Sequence, residues 1–269
     1  RQVYPELQNI LYIFEKCSKL KIGHELVDLW KNLGMFFFQT GEWGKAFRCG
    51  EIIYATTKTS KDYLNHIKYS INILYRMNYL LGNLEKCQEF IDESLTIAQH
   101  TQDEHIIALS QQQLGKLYEP KMQLDKSIDL LNKSILTLEK LSDIEEVLFS
   151  YKYLIEAYMF KEDYKKAKEI LQISLKLAKK YKDTFLVGVF LSLLGTVYYM
   201  EKKYSEAKIC LLKAISLEKT YNIRVGIRVF NNLIIALIAI NKSEKEQADI
   251  YFQLAKQENI HLQIKNKAD

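Results

Sequence analysis

Turn-forming residues are scarce: the chain has two prolines and ten glycines among 269 residues. That excludes an all-β chain with its many turns and favours long helices. Four cysteines, Cys17, Cys49, Cys87 and Cys210, are scattered without a CxxC pair. They offer no disulfide framework, and the expected setting is reducing and cytoplasmic. No run reaches the roughly 18 consecutive apolar residues of a membrane span. The net charge of +5 is mixed in sign along the chain, which excludes the concentrated basic stripe of a nucleic-acid-binding surface. Glycine-rich phosphate loops and the HExxH and GxSxG signatures are absent. His100 and His105 cluster with Asp103 and Glu104 at a predicted turn, but their spacing matches no established metal-ligand pattern. Accordingly no catalytic residue, no metal ligand and no cofactor is expected. No signal peptide is visible, and the start at Arg1 suggests a segment upstream of this sequence.

What is present is a repeat. Ala46, Cys87, Ser127, Ala167, Ala207 and Ala248 follow one another at steps of 41, 40, 40, 40 and 41 residues. Twelve residues before each stand Gly34, Tyr75, Gly115, Ile155, Gly195 and Ala236. A fixed period of this length marks a stack of supersecondary units, each packing on its neighbours and together building an extended concave surface. Within the fourth unit, Ser142 or Asp143 caps a first helix with Glu145 and Glu146 in its first turn, where the helix dipole favours them. Leu148, Tyr151, Leu154, Ile155 and Tyr158 continue it at helical spacing. After the polar break at Lys161, Glu162 and Asp163, the residues Tyr164, Ala167, Ile170, Leu171, Ser174, Leu175 and Ala178 form the inner face of a second helix. The small residue at the Ala167 position lets the two helices approach closely, and a larger one would overpack them.

The expected fold is therefore all-α: a right-handed superhelical solenoid of about six 40-residue helical hairpins. Residues 1–23 read as an orphan helix of a preceding repeat, with Leu7, Ile10, Leu11 and Phe14 on an exposed apolar face. Residues 24–258 read as six repeats and 259–269 as a polar tail that frays. The apolar run from Leu233 to Ile240 reads as a helix buried under another helix or a partner subunit.

These hairpins resemble tetratricopeptide repeats, and the resemblance implies that their first helices line the concave face. The expected peptide-binding residues are Lys31, Asn72, Arg76, Gln112, Lys116, Lys152, Glu156, Tyr199, Asn231 and Asn232. The amides of Asn72 and Gln112 can both donate to and accept from a peptide backbone. Lys31, Arg76, Lys116 and Lys152 would attract a carboxylate. Asn231 and Asn232 interrupt an apolar helix, and burying such an amide unpaired costs about 1–3 kcal/mol. A structural hydrogen bond or a ligand clamp would each explain them.

Leu194-Gly195-Thr196-Val197-Tyr198-Tyr199 and Tyr204-Ser205-Glu206-Ala207 have the tetratricopeptide pattern with both helices lengthened. With the 40-residue period and the Lys-, Ile- and Tyr-rich composition, the chain resembles the receptor domains of Gram-positive peptide quorum-sensing regulators of the Rap, NprR and PlcR type. It looks most like an NprR-type regulator without its DNA-binding domain. The resemblance implies binding of a short imported signalling peptide of about five to eight residues in the concave groove. It further implies a coupled change in superhelix pitch, a homodimer or higher homo-oligomer, a response-regulator protein as a further partner, DNA contact only through an absent amino-terminal domain, and no membrane. The alternatives are a generic tetratricopeptide adaptor for protein partners and an accessory domain of a phosphatase or other enzyme.

Overall fold

A computed structural model describes residues 5–19, 25–31, 37, 43–58, 62–220 and 227–267; Gly34 of the repeat signature lies outside them. All regular structure among the described residues is helical. In chain order these are α1 (Pro5–Lys19), α2 (25–31), α3 (Trp43–Thr57) and α4 (Tyr63–His66), which runs through a π turn (Ile67–Ile71) into α5 (Asn72–Leu80). Then follow α6 (Leu84–Thr101), α7 (Glu104–Tyr118), α8 (Leu124–Lys140), α9 (Ile144–Phe160) and α10 (Tyr164–Lys180). The last four are α11 (Thr184–Met200), α12 (Tyr204–Thr220), α13 (Ile227–Asn241) and α14 (Lys245–Lys267). The architecture is a tetratricopeptide-like solenoid of antiparallel hairpins.

The 40-residue beat has a local cause with half that period. Gly82, Gln102, Met122, Ser142, Glu162, Lys182, Lys202 and Ser243 all adopt positive φ. Each follows the end of a helix, and the next helix begins two residues later, after an intervening N-cap position. At Ser142, for example, Asp143 N–H donates to Leu138 C=O and Ser142 N–H to Glu139 C=O, the double bond that closes a helix with a left-handed residue. Asp143 then caps α9 by accepting from Glu146 N–H. Asp103, Asp163 and Asp183 cap α7, α10 and α11 in the same way. A 17-residue helix and a three-residue turn thus repeat across α8 to α12. The step of 41 between Ala46 and Cys87 is absorbed by the π turn, which accommodates one extra residue without breaking the helix.

Small residues set the spacing inside each hairpin. A Cβ on Gly195 would stand 2.7 Å from Leu211 Cγ, and one on Gly115 would stand 2.9 Å from Leu131 Cγ. Repeat two carries Tyr75 at the glycine position, its hydroxyl donating to Gln113 C=O at 2.9 Å, and Cys87 keeps the small-residue slot, its thiol donating to Tyr75 C=O. Hydrophobic clusters cross from one hairpin to the next. Leu148, Leu171, Leu186 and Phe190 share one core that joins repeats four and five.

One expectation needs correction, and a second is met only in part within the chain. Phe14 is not exposed on α1: it is fully buried, edge-on to Trp30 at 6.1 Å, because α1 closes over the following hairpin. Among the described side chains α1 leaves the apolar Tyr12 and Ile13 exposed; those of Leu7, Ile10 and Leu11 lie outside the described ones. The apolar run of α13 is only half covered. Ile234, Ile235 and Ile238 pack with Ala207, Leu211 and Ile215 of α12, whereas Leu233, Leu237 and Ile240 remain exposed.

Two glycines of α11 therefore have opposite roles. Gly195→Ala should destabilise by about 1–3 kcal/mol through overpacking against Leu211. Gly188 faces open space, so Gly188→Ala should stabilise by up to about 1 kcal/mol by raising helix propensity. Urea unfolding of the two variants measures both signs.

Candidate functional site: the inner face of the solenoid

The first helices of successive hairpins touch one another: α5 meets α7, α7 meets α9, α9 meets α11, and α11 meets α13. They therefore line the inner radius. Asn72 and Arg76 on α5, Gln112 and Lys116 on α7, and Lys152 and Glu156 on α9 come from equivalent turns of these helices, so stacking draws the rows together. Asn72, Gln112 and Lys116 are buried there.

Two carboxylates organise the cluster. Glu146, in the first turn of α9, accepts from Asn72 Nδ2 at 3.1 Å, Arg76 Nη2 at 2.6 Å and Gln112 Nε2 at 3.1 Å. Two of these donors belong to repeat two and Glu146 to repeat four, so the contact reaches across the repeat between. The Arg76 guanidinium also lies 3.8 Å from the Phe149 ring centroid, the geometry of a cation–π contact. Burial opposes the charge on Arg76, but Glu146 outweighs it and keeps the pKa raised. One turn along, Lys116 Nζ donates to Glu119 at 2.6 Å and to Glu156 at 2.8 Å, and Lys152 Nζ reaches Glu156 at 2.9 Å. Tyr79 and Tyr153 flank the Lys116 ammonium with ring centroids at 5.0 and 5.2 Å.

Charge sharing among these groups is unequal. Glu156 is held at about 2 because Lys116 and Lys152 overcome its burial. Glu119 is pushed up to about 7 by burial, which Lys116 only partly offsets. At the mouth of the same cluster, Asp143 accepts from Lys68 and lies 2.7 Å from His105 Nε2. Burial opposes ionisation of Asp143, yet the hydrogen bonds from His105 and Lys68 prevail and hold it at about 2.

The structure thus brings Asn72, Arg76, Gln112, Lys116, Lys152 and Glu156 together, each engaged with another side chain of the chain itself. Lys31 stands apart, bonded to Asp28 of its own helix at 2.9 Å. Tyr199 tilts against Tyr204 at 6.0 Å. Asn231 is fully buried and accepts from Ser192 Oγ at 2.5 Å, while its own Nδ2 has no partner. Asn232 is buried as well. Beyond them Phe230, Leu233, Leu237 and Ile240 form an exposed stripe along α13. The inner face therefore changes from ionic at repeats two to four to apolar at repeat six.

Glu146, Glu119 and Asp143 were not among the expected site residues. The helix dipole accounts for a glutamate in a first turn, and that explanation hid Glu146. A stronger signal was available: Ile106 and Leu186 stand 40 residues to either side of it, and both are core residues. A carboxylate at a core register position requires a partner. The two histidines lie on either side of the turn, His100 in α6 and His105 in α7, and they diverge, with His105 on Asp143 and His100 against Tyr63. Among the described residues no three His, Cys, Asp or Glu side chains converge as a metal site needs, and no helix is long and apolar enough to cross a membrane.

Asp143 supplies a pH test. Its folded pKa lies below the unfolded value of about 3.9, so the stability it contributes is present above pH 4 and is lost as the pH falls toward 2. Asp143→Asn keeps a capping oxygen and removes the charge. It should cost about 2 kcal/mol at pH 7 and about 1 kcal/mol or less at pH 2.5, with the remainder lost only below the folded value of about 2, read from denaturant midpoints at the two pH values.

The family described as Tetratricopeptide repeat matches residues 190–221, the α11–α12 hairpin. No curated protein matches the chain. Among solved structures it is similar to the apo form of RapI, with 14% identity and a TM-score of 0.63 over 91% of this chain and 85% of that one. It is similar also to a Rap protein complexed with Competence and Sporulation Factor, with 12% identity and a TM-score of 0.67 over 96% of this chain and 77% of that one. Aspartyl phosphate phosphatase F from Bacillus subtilis aligns at 12% identity with a TM-score of 0.62, over 91% of this chain and 64% of its own length. At these identities the likeness is one of fold.

Proposed function

We propose that the chain is a peptide receptor of the Rap, NprR and PlcR kind, taking a short signalling peptide along its inner face. The observation that carries this reading is the composition of that face. Side-chain amides and ion pairs from three successive first helices occupy repeats two to four of that face, and an exposed apolar stripe, Phe230, Leu233, Leu237 and Ile240 on α13, occupies repeat six. An extended peptide needs both: polar partners for its backbone and apolar surface for its side chains. The fold likeness to a Rap protein complexed with Competence and Sporulation Factor supports the same reading. Binding would shift the superhelix pitch or the oligomeric state, because the groups it meets are those that tie non-adjacent repeats together. That change would reach a response-regulator protein, or DNA through a further domain.

Fluorescence anisotropy with labelled peptides of about five to eight residues tests the proposal on wild type and Leu237→Ser. Leu237 is 40% exposed, so the substitution should leave the melting temperature nearly unchanged. Saturable binding should weaken by about tenfold or more in the variant, the loss expected for one partly buried leucine contact. Absence of binding across the whole library would overturn the receptor reading and leave a scaffold for a folded protein partner.

A further inference from the structure

Glu146 occupies what is in form a ligand site. Its carboxylate is held by three side-chain donors, Asn72, Arg76 and Gln112, from two other helices and none from its own. Gln112 is fully buried and its Oε1 has no partner, and the buried Arg76 Nε is also unused. A structural ion pair that had been fitted to these donors would satisfy such atoms, since a buried polar atom without a partner is costly. The set has spare capacity on the guanidinium fork, which can bind a carboxylate through two parallel bonds, and it has an acceptor that would take an N–H. A carboxylate attached to a peptide carries both complements. The backbone N–H of the residue bearing it answers Gln112 Oε1.

We propose that Asn72, Arg76 and Gln112 form a carboxylate-binding site for the peptide ligand, and that Glu146 is its internal occupant, displaced when a ligand carboxylate enters. This rests on the groove being a peptide site. The exchange replaces one carboxylate by another in front of the same donors, and the cost of desolvating the entering group is offset by turning the Glu146 carboxylate out into water. The ligand's remaining contacts then decide which carboxylate occupies the site. Displacing Glu146 also cuts the link from α5 to α9 across the intervening repeat. Occupancy of the site and the spacing of the hairpins are thereby coupled. The ligand carboxylate is either a chain terminus or an acidic side chain, and the two are separable by experiment.

Chemical rescue tests the site without any peptide. Glu146→Ala removes the group that acetate resembles and leaves Arg76 buried without its anion, which is strongly destabilising. Its melting temperature should fall by several degrees. Acetate should restore much of that loss, acetamide and chloride at equal concentration should not, and wild type should be indifferent to all three. Equal effects of acetate on both proteins, or none on either, would overturn the proposal. If Glu146→Ala does not fold, Glu146→Gln decides the matter in the anisotropy assay. Free-acid peptides should bind it about tenfold more tightly than they bind wild type, and peptides lacking every carboxylate should show no gain. Amidating the terminus and replacing Asp and Glu in separate arms then identifies the source of the carboxylate. Equal gains with and without a carboxylate would sink the carboxylate site while leaving the groove reading intact. Rescue by acetate with no peptide bound at all would establish the carboxylate site in the variant and defeat its assignment to a peptide.

Discussion

Every feature of the inner face depends on how closely the two helices of a hairpin approach. Gly195 against Leu211 and Gly115 against Leu131 allow contact that a single added carbon would forbid. With the helices this close, each hairpin becomes a thin slab, and successive slabs stack with their first helices at the smaller radius. The left-handed residues between helices keep the slabs uniform, since each turn returns the chain with the same geometry. Most of these residues are not glycine. The strain of a side chain at positive φ, about 1–2 kcal/mol per residue, is accepted at nearly every turn and is offset by closing the helix end and capping the next.

Crowding at the small radius explains the polar network. Side chains on equivalent turns of α5, α7 and α9 converge, and charged groups brought together out of water remain charged only if each finds a partner. Glu146 and Glu156 are therefore surrounded by donors, and the least well provided carboxylate, Glu119, is the one pushed toward neutrality. Breaking such a pair by removing one partner is costly, whereas exchanging the partner for another of like charge is not. That asymmetry makes the network rigid toward mutation and permissive toward a ligand that imitates one of its members. At repeat six the same inward position is taken by Leu233 and Leu237, which have nothing to pair with, so the face opens there as an apolar surface.

The fold was legible because its determinants are local and repeated. Spacing of the small residues, the helical periodicity of Leu148 to Tyr158 and aspartates at helix starts are read residue by residue, and each recurs often enough to fix the period. The left-handed turn positions were less legible, since Gln102, Met122 and Lys202 carry no conformational signature of the kind Gly82 carries. Of the inner face, the sequence determined which residues point inward: Asn72, Arg76, Gln112, Lys116, Lys152 and Glu156 do converge. It did not determine what they meet. Pairing of Arg76 with a glutamate 70 residues away depends on the pitch of the stack, which is the sum of many small packing angles and is encoded at no single position. Periodicity settles which face of a helix is turned inward, because that is a property of one helix. Only the tertiary structure decides which charge stands opposite which, because that is a property of the distance between helices.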